Sequence, residues 1–119
     1  MKYLLIEYPK CSTCQKAKKF LQEHEITFQD RNIVEERPTE EEIKNWIATY
    51  HLDIKKLFNT SGLLYKKLQL KEKLETFTQE EKIKLLASDG MLVKRPILIG
   101  ENIFLNGFKQ KDWEEKIVR

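Results

Sequence analysis

The chain opens on an apolar run, Leu4-Leu5-Ile6, and the segment from Lys2 to Tyr8, bounded by Pro9, predicts a buried β-strand. From Ser12 the period changes. Cys14, Ala17, Phe20 and Leu21 recur at spacings of three, three and one, the stripe of an amphipathic helix. "ITFQDRNIV", Ile26 to Val34, alternates as a second strand. Pro38-Thr39 then opens a helix, with Thr39 and Glu42 as a capping box and Ile43, Trp46, Ile47 and Tyr50 on its apolar side.

The middle, from about Ile54 to Leu86, predicts helix with breaks near Asn59–Gly62 and Gln69–Lys71. Thr78 and Glu81 form a second capping box, and Ser88-Asp89-Gly90 stops that helix. Two short apolar runs follow Arg95-Pro96, Ile97–Ile99 and Ile103–Leu105, joined by "GEN" as a hairpin. A last amphipathic helix over Lys111–Ile117 turns Trp113 and Ile117 inward.

The order is therefore βαβ, a helical block, then ββα. A parallel pair with a crossover helix, extended by an antiparallel hairpin, gives a mixed sheet with helices on its faces. That is an α/β, thioredoxin-like arrangement. The whole chain, 1–119, reads as one such domain, with the helical block, about 39–90, inserted into it.

Composition narrows the classes. A chain of 119 residues with 34% charged and 40% hydrophobic side chains is ordinary for a soluble globular domain with one modest core. A net charge of +3 is too weak to argue for direct nucleic-acid binding. No apolar run is long enough to span a membrane, and the short run after Lys2 does not resemble a secretory signal. Two cysteines make no disulfide framework, so a reducing, cytoplasmic setting and a monomer are expected.

Those two cysteines carry the chemistry. In "EYPKCSTCQKAKKF" Cys11 falls at or just before the helix N-cap and Cys14 one turn further in. Residues three apart on a helix share a face, so the two sulfurs can meet. Free N–H groups and the helix dipole favour a thiolate at Cys11, with Ser12 and Thr13 filling the first turn. Three rival readings stand beside a redox pair. A zinc site would need His24 and His51, whose separation does not match the usual ligand pairing. An anion loop of the phosphatase type would want an arginine about six residues on, where Ala17 and Phe20 stand. The third is plain packing, which the place of Cys14 in the apolar stripe fits. His24 and His51 themselves read as helix-end residues.

The segment "KRPILIG" is the second informative element. Pro96 begins a strand because it cannot donate to a ladder. In thioredoxin-like folds the corresponding proline is cis and faces the redox motif. Arg95 would then lie beside Cys11 and could stabilise a thiolate or an oxyanion. Residues 55 to 73 hold six lysines and one acid, Glu72, read as a solvated face or as a docking surface for an acidic partner.

The pieces "YPKCSTCQKAKKFL", "FNTSGLLYKKL", "DGMLVKRPILIG" and "FLNGFKQKDWEE", in order over nearly the whole chain, resemble the arsenate reductase-like family, the ArsC/Spx group. The resemblance implies a thioredoxin-like fold with a helical insertion, Cys11 as nucleophile and Arg95 beside it. Glutaredoxin-coupled arsenate reductases resemble the pattern P-x-C-G-T-S-R, whereas here Cys14 and Gln15 stand at the last two places. The insertion's arginine position is Asn59, and the stretch from Phe104 to Lys109 holds no arginine, so only Arg95 of the oxyanion set is kept. Spx-type transcriptional regulators carry CxxC as a disulfide switch and are thought to present a glycine of the insertion to RNA polymerase. Here the first glycine is Gly62.

The expectation is a cytosolic thiol–disulfide oxidoreductase, with Cys11 attacking an oxidised protein or small molecule and Cys14 resolving the adduct. A thioredoxin- or glutathione-linked reductant would recycle it, and no metal or organic cofactor is implied. The alternative is a redox-sensing regulator whose partner, by resemblance alone, would be RNA polymerase. Arsenate reduction ranks third.

Overall fold

A computed structural model describes residues Tyr3–Val118. The chain forms two compact units: residues up to Ile33 with those from Arg95 on, and Val34–Lys94.

The first unit is built on a mixed sheet of order β2-β1-β3-β4. Strand β1 (Tyr3–Glu7) pairs in parallel with β2 (Phe28–Asn32) and antiparallel with β3 (Ile97–Gly100), which pairs antiparallel with β4 (Ile103–Asn106). The parallel pair requires the crossover that helix α1 (Ser12–Glu23) supplies. This is the thioredoxin-like arrangement. Central β1 and β3 bury Leu5, Ile6, Ile97 and Leu98, whereas edge strand β2 reads FQDRN and tolerates polar residues. The α1 stripe of Cys14, Ala17, Phe20 and Leu21 is buried. Ala17, Phe20 and Leu21 join Leu5, Leu98 and Trp113 in one cluster. Trp113 ends the short helix α6 (Gln110–Trp113), stands edge-on to Phe108 at 4.9 Å, and donates from Nε1 to the Gly107 carbonyl at 3.2 Å.

Several boundaries differ from expectation. The first strand is Tyr3–Glu7, with Tyr8 outside it and Lys2 outside the described residues. The second strand is Phe28–Asn32, shorter at both ends than Ile26 to Val34. Ile26 is committed to closing α1. Its N–H donates to Leu21 at 2.9 Å while Glu25 N–H donates to Gln22 at 3.1 Å, with Glu25 left-handed at φ 55°. Val34 lies beyond the ladder, 49% exposed. The last helix is one α turn followed by a wider π-helical turn, Glu114–Val118, with Trp113 buried and Ile117 packed against the cluster.

The second unit holds α2 (Glu40–Tyr50), the short helices α3 (Leu63–Lys67) and α4 (Leu70–Lys73), and α5 (Gln79–Ser88). Both capping boxes form: Thr39 Oγ1 accepts from Glu42 N–H at 3.0 Å and Thr78 Oγ1 from Glu81 N–H at 3.1 Å, each reciprocated by the glutamate. The second expected break falls at Leu68-Gln69, where Gln69 is left-handed, and Lys71 is already helical. Asn59 N–H to Leu92 and Lys94 N–H to Leu57, both 2.8 Å, tie the unit's later segments together.

Two stability predictions follow from backbone constraints in the first unit. A Cβ at Gly100 would lie 2.7 Å from Tyr3 Cε1 and 2.8 Å from Ile103 Cγ2. Gly100→Ala is therefore expected to cost about 1–3 kcal/mol in urea unfolding; a loss too small to measure would contradict the close packing. Glu25→Gly, relieving a left-handed residue that carries a Cβ, is expected to stabilise the fold by about 1 kcal/mol in the same measurement.

Candidate functional site

Strand β1 delivers the chain to the N-terminus of α1 through a four-residue loop, Tyr8 to Cys11, fixed at both ends. Cys11 N–H donates to the Tyr8 carbonyl at 3.0 Å, and the Gln15 side-chain amide donates to the Pro9 carbonyl at 2.9 Å. Gln15, noted in the sequence only as a departure from an arginine, is thus a brace for the loop that carries Cys11.

Cys11 is the N-cap of α1, with φ −91° and ψ 117°. Its sulfur accepts the Cys14 backbone N–H at 3.3 Å, taking the place usually filled by a serine or aspartate oxygen. A thiolate makes a stronger acceptor than a thiol there, and the first turn contains no acidic residue to oppose it. Ser12 and Thr13, the exposed residues of that turn, leave the approach to Cys11 open.

Cys14 is a different thiol. It is fully buried, whereas Cys11 is partly exposed, and both are free cysteines. Burial, followed by its hydrogen bond with the Cys11 side chain, pushes its pKa up to about 12; the Tyr8 backbone N–H and the charge of Arg95 pull the other way. One sulfur of the pair is therefore presented to solvent at a helix end, and the other is held back as a protonated thiol.

Arg95 and Pro96 arrive from the strand side of the same unit. The Arg95–Pro96 peptide is cis, and the Pro96 carbonyl accepts from Gly107 N–H at 2.8 Å, an arrangement in which Gly107 takes φ 72°. The Arg95 guanidinium lies over the Tyr8 ring, its Cζ 5.6 Å from the centroid. Its charge favours the ionised form of Cys14, the smallest of the influences on that thiol. The sequence offered no signal for Tyr8, whose ring seats the arginine and whose N–H reaches Cys14.

The other sequence candidates have local partners of their own. His24 caps the far end of α1, bonded to the Phe20 carbonyl at 2.9 Å, and His51 is the left-handed residue closing α2. The Asn59 side chain is held within its own unit, Nδ2 donating to the Met91 carbonyl at 3.5 Å and Oδ1 accepting from Ser61 Oγ at 3.4 Å. Among the described residues no group of three or more His, Cys, Asp or Glu side chains could hold a metal ion, and no helix is long and apolar enough to cross a membrane. Glu7, two residues before Pro9, is the one buried charged side chain among those described.

Known proteins place this geometry. The protein YusI of Bacillus subtilis, uncharacterized in function, is 50% identical over 109 residues, 91% of this chain and 92% of its own. The global transcriptional regulator Spx of Enterococcus faecalis is 31% identical over 104 residues, 87% of this chain and 77% of its own. An ArsC family related protein from Bacteroides fragilis, seen in a crystal structure, superposes with a TM-score of 0.90 at 54% identity, covering 97% of both chains. The ArsC family model matches residues 6–116, which take in the cysteine loop, the helical block and the Arg95-Pro96 segment alike, and the chain belongs to that family.

Proposed function

We propose that the protein is a thiol–disulfide oxidoreductase in which Cys11 attacks and Cys14 resolves. The observation that carries this reading is the inequality of the two thiols: one capping a helix and partly exposed, its neighbour buried with its pKa at about 12. A thiolate is the reactive form, so the first attack falls to Cys11.

The Cys11 thiolate attacks one sulfur of a substrate disulfide. A Cys11–substrate disulfide forms, the substrate's own S–S bond breaks, and the departing thiolate takes a proton from water. Cys14 then loses its proton and attacks the Cys11 sulfur. The second substrate thiolate leaves, and two electrons have passed from the cysteine pair to the substrate. Forming the adduct removes the charge on Cys11 that opposes ionisation of Cys14, which eases the second step. Arg95, held on Tyr8, favours the Cys14 thiolate throughout. A thioredoxin- or glutathione-linked cytoplasmic reductant would return the disulfide to the dithiol, and oxidised protein or small-molecule disulfides are the substrate class.

A second reading is favoured by the likeness to Spx: the same disulfide acting as a switch that alters binding to a protein partner. The six exposed lysines between Lys55 and Lys73 would be the face that such a partner, RNA polymerase included, meets. Arsenate reduction ranks below both, because Gln15 and Asn59 stand at positions where the resembling reductases carry arginines, and Gln15 is committed to bracing the cysteine loop.

Cys14→Ser is expected to stop turnover after the first attack. Trapping from lysate followed by mass spectrometry should find disulfide adducts at Cys11, with multiple-turnover reduction of a model disulfide lowered at least about tenfold and none remaining in Cys11→Ser. A variant that turns over at the wild-type rate without Cys14 would overturn the resolving role. One stoichiometric protein partner in place of many oxidised clients would favour the switch.

A further inference from the structure

Gln15 follows Cys14 on α1, the fourth residue of the helix, and is exposed to solvent. Helical side chains lean toward the helix N-terminus, and this one reaches back beyond the helix altogether. Its Nε2 donates to the carbonyl of Pro9, six residues earlier, at 2.9 Å. Its backbone N–H donates to the Cys11 carbonyl at 3.1 Å, the first hydrogen bond of the helix ladder. One residue therefore grips the cysteine loop on both sides of Lys10, with its side chain at Pro9 and its main chain at Cys11.

The rest of the loop is held from the strand side. Cys11 N–H donates to the Tyr8 carbonyl at 3.0 Å, so both main-chain polar groups of Cys11 are engaged. The Tyr8 ring in turn lies under the Arg95 guanidinium. Between these anchors stand Pro9 and Lys10, both exposed. The proline ring fixes its own φ but leaves ψ, and with it the direction of the carbonyl, open. The Gln15 amide settles that direction. The Cys11 sulfur accepts the Cys14 N–H at 3.3 Å with Cys11 at φ −91° and ψ 117°, an N-cap geometry that a rotated Pro9–Lys10 peptide would carry away.

We propose that Gln15 is a positioning residue for the first attack: its side-chain amide fixes the Pro9 peptide and so keeps the Cys11 sulfur at the N-cap, bonded to Cys14 N–H and open to substrate. This rests on the redox reading above. In that attack a Cys11–substrate disulfide forms, the substrate's own S–S bond breaks, and the departing sulfur keeps the electron pair. Gln15 exchanges no atom and no electron. It acts on Cys11 through the geometry of the loop.

The contact sets both the size of the effect and its chemistry. The bond joins two exposed groups, so it is an ordinary surface hydrogen bond, worth a factor of about three to ten in the population of the held loop. Methionine matches glutamine in length but donates nothing. Glutamate matches its shape, donates nothing, and adds a negative charge one residue after Cys14, near a sulfur that reacts as a thiolate. Arginine is long enough and donates. Cys11 reactivity should therefore be highest with Gln15 or Gln15→Arg, lower in Gln15→Met and lowest in Gln15→Glu.

The test uses the full-length reduced protein. Iodoacetamide labelling near pH 7.5, read at each cysteine by mass spectrometry, gives the reactivity of Cys11 with no substrate assumed. Stopped flow with a nitrobenzoate disulfide gives the attack itself, as the first release of coloured thiolate. Gln15→Met should slow both about threefold to tenfold, with Cys14 still unlabelled in the folded protein. Gln15→Arg, in about 0.5 M salt to screen its charge, should return to within about twofold of the wild type in the same salt. Should Gln15→Met fail to fold, Gln15→Glu in that salt carries the same comparison. A variant without the donor that keeps the wild-type rate at Cys11 overturns the proposal and leaves the redox reading intact. So does Gln15→Arg as slow as Gln15→Met, or Cys14 labelling that rises as Cys11 labelling falls, since the residue would then serve the fold as a whole. A wild-type protein whose Cys11 takes iodoacetamide but never attacks the disulfide overturns the redox reading, and this inference with it.

Discussion

Helix α1 lies on β1 through one apolar cluster, in which Leu5 and Leu98 from adjacent strands meet Ala17, Phe20 and Leu21 from the helix. Burying several such side chains, each worth roughly 1.5–3 kcal/mol, fixes the helix against the sheet. The position of the helix N-terminus follows, because β1 ends at Glu7 and α1 begins at Ser12. The short loop between them has no freedom to place Cys11 elsewhere, and Gln15 and Tyr8 pin its carbonyls and amides. Packing remote from the sulfurs therefore decides which one is presented and which is covered.

The chemistry grows out of that placement. A sulfur at the N-cap receives a backbone N–H and the positive end of the helix, while a sulfur three residues on lies in the first buried position of the same apolar stripe. One helix thus carries both a partly exposed thiol at its N-cap and a buried one three residues on, which in the proposed reading are the attacker and the resolver. Arg95 on the ring of Tyr8 acts on the second of these, the thiol that burial alone would leave inert. The ArsC family model runs through both cysteines and Arg95.

Local signals in the chain were sufficient for much of this. The α1 stripe, the capping boxes at Thr39 and Thr78, the hairpin and the N-cap position of Cys11 depend on residues within a turn or two of one another, so spacing alone reveals them. The ends of β2 were misread because Ile26 and Val34 continue an apolar alternation for reasons other than pairing; Ile26 closes a helix. The sequence holds no signal that Glu7 is buried. Its burial depends on a lysine from α1 and an aspartate from β2, a meeting that only the register of the sheet and the crossover bring about. Tyr8 was hidden for the same reason, since its partner Arg95 comes from the other end of the unit's sequence.

Site-resolved alkylation of the reduced native protein tests the inequality of the two thiols most directly. Iodoacetamide labelling near pH 7.5, quenched over time and read at each cysteine by mass spectrometry, should modify Cys11 at least about a hundredfold faster than Cys14, with Cys14 reacting freely only after unfolding. Equal rates at the two cysteines in the folded protein, or faster labelling of Cys14, would contradict the account.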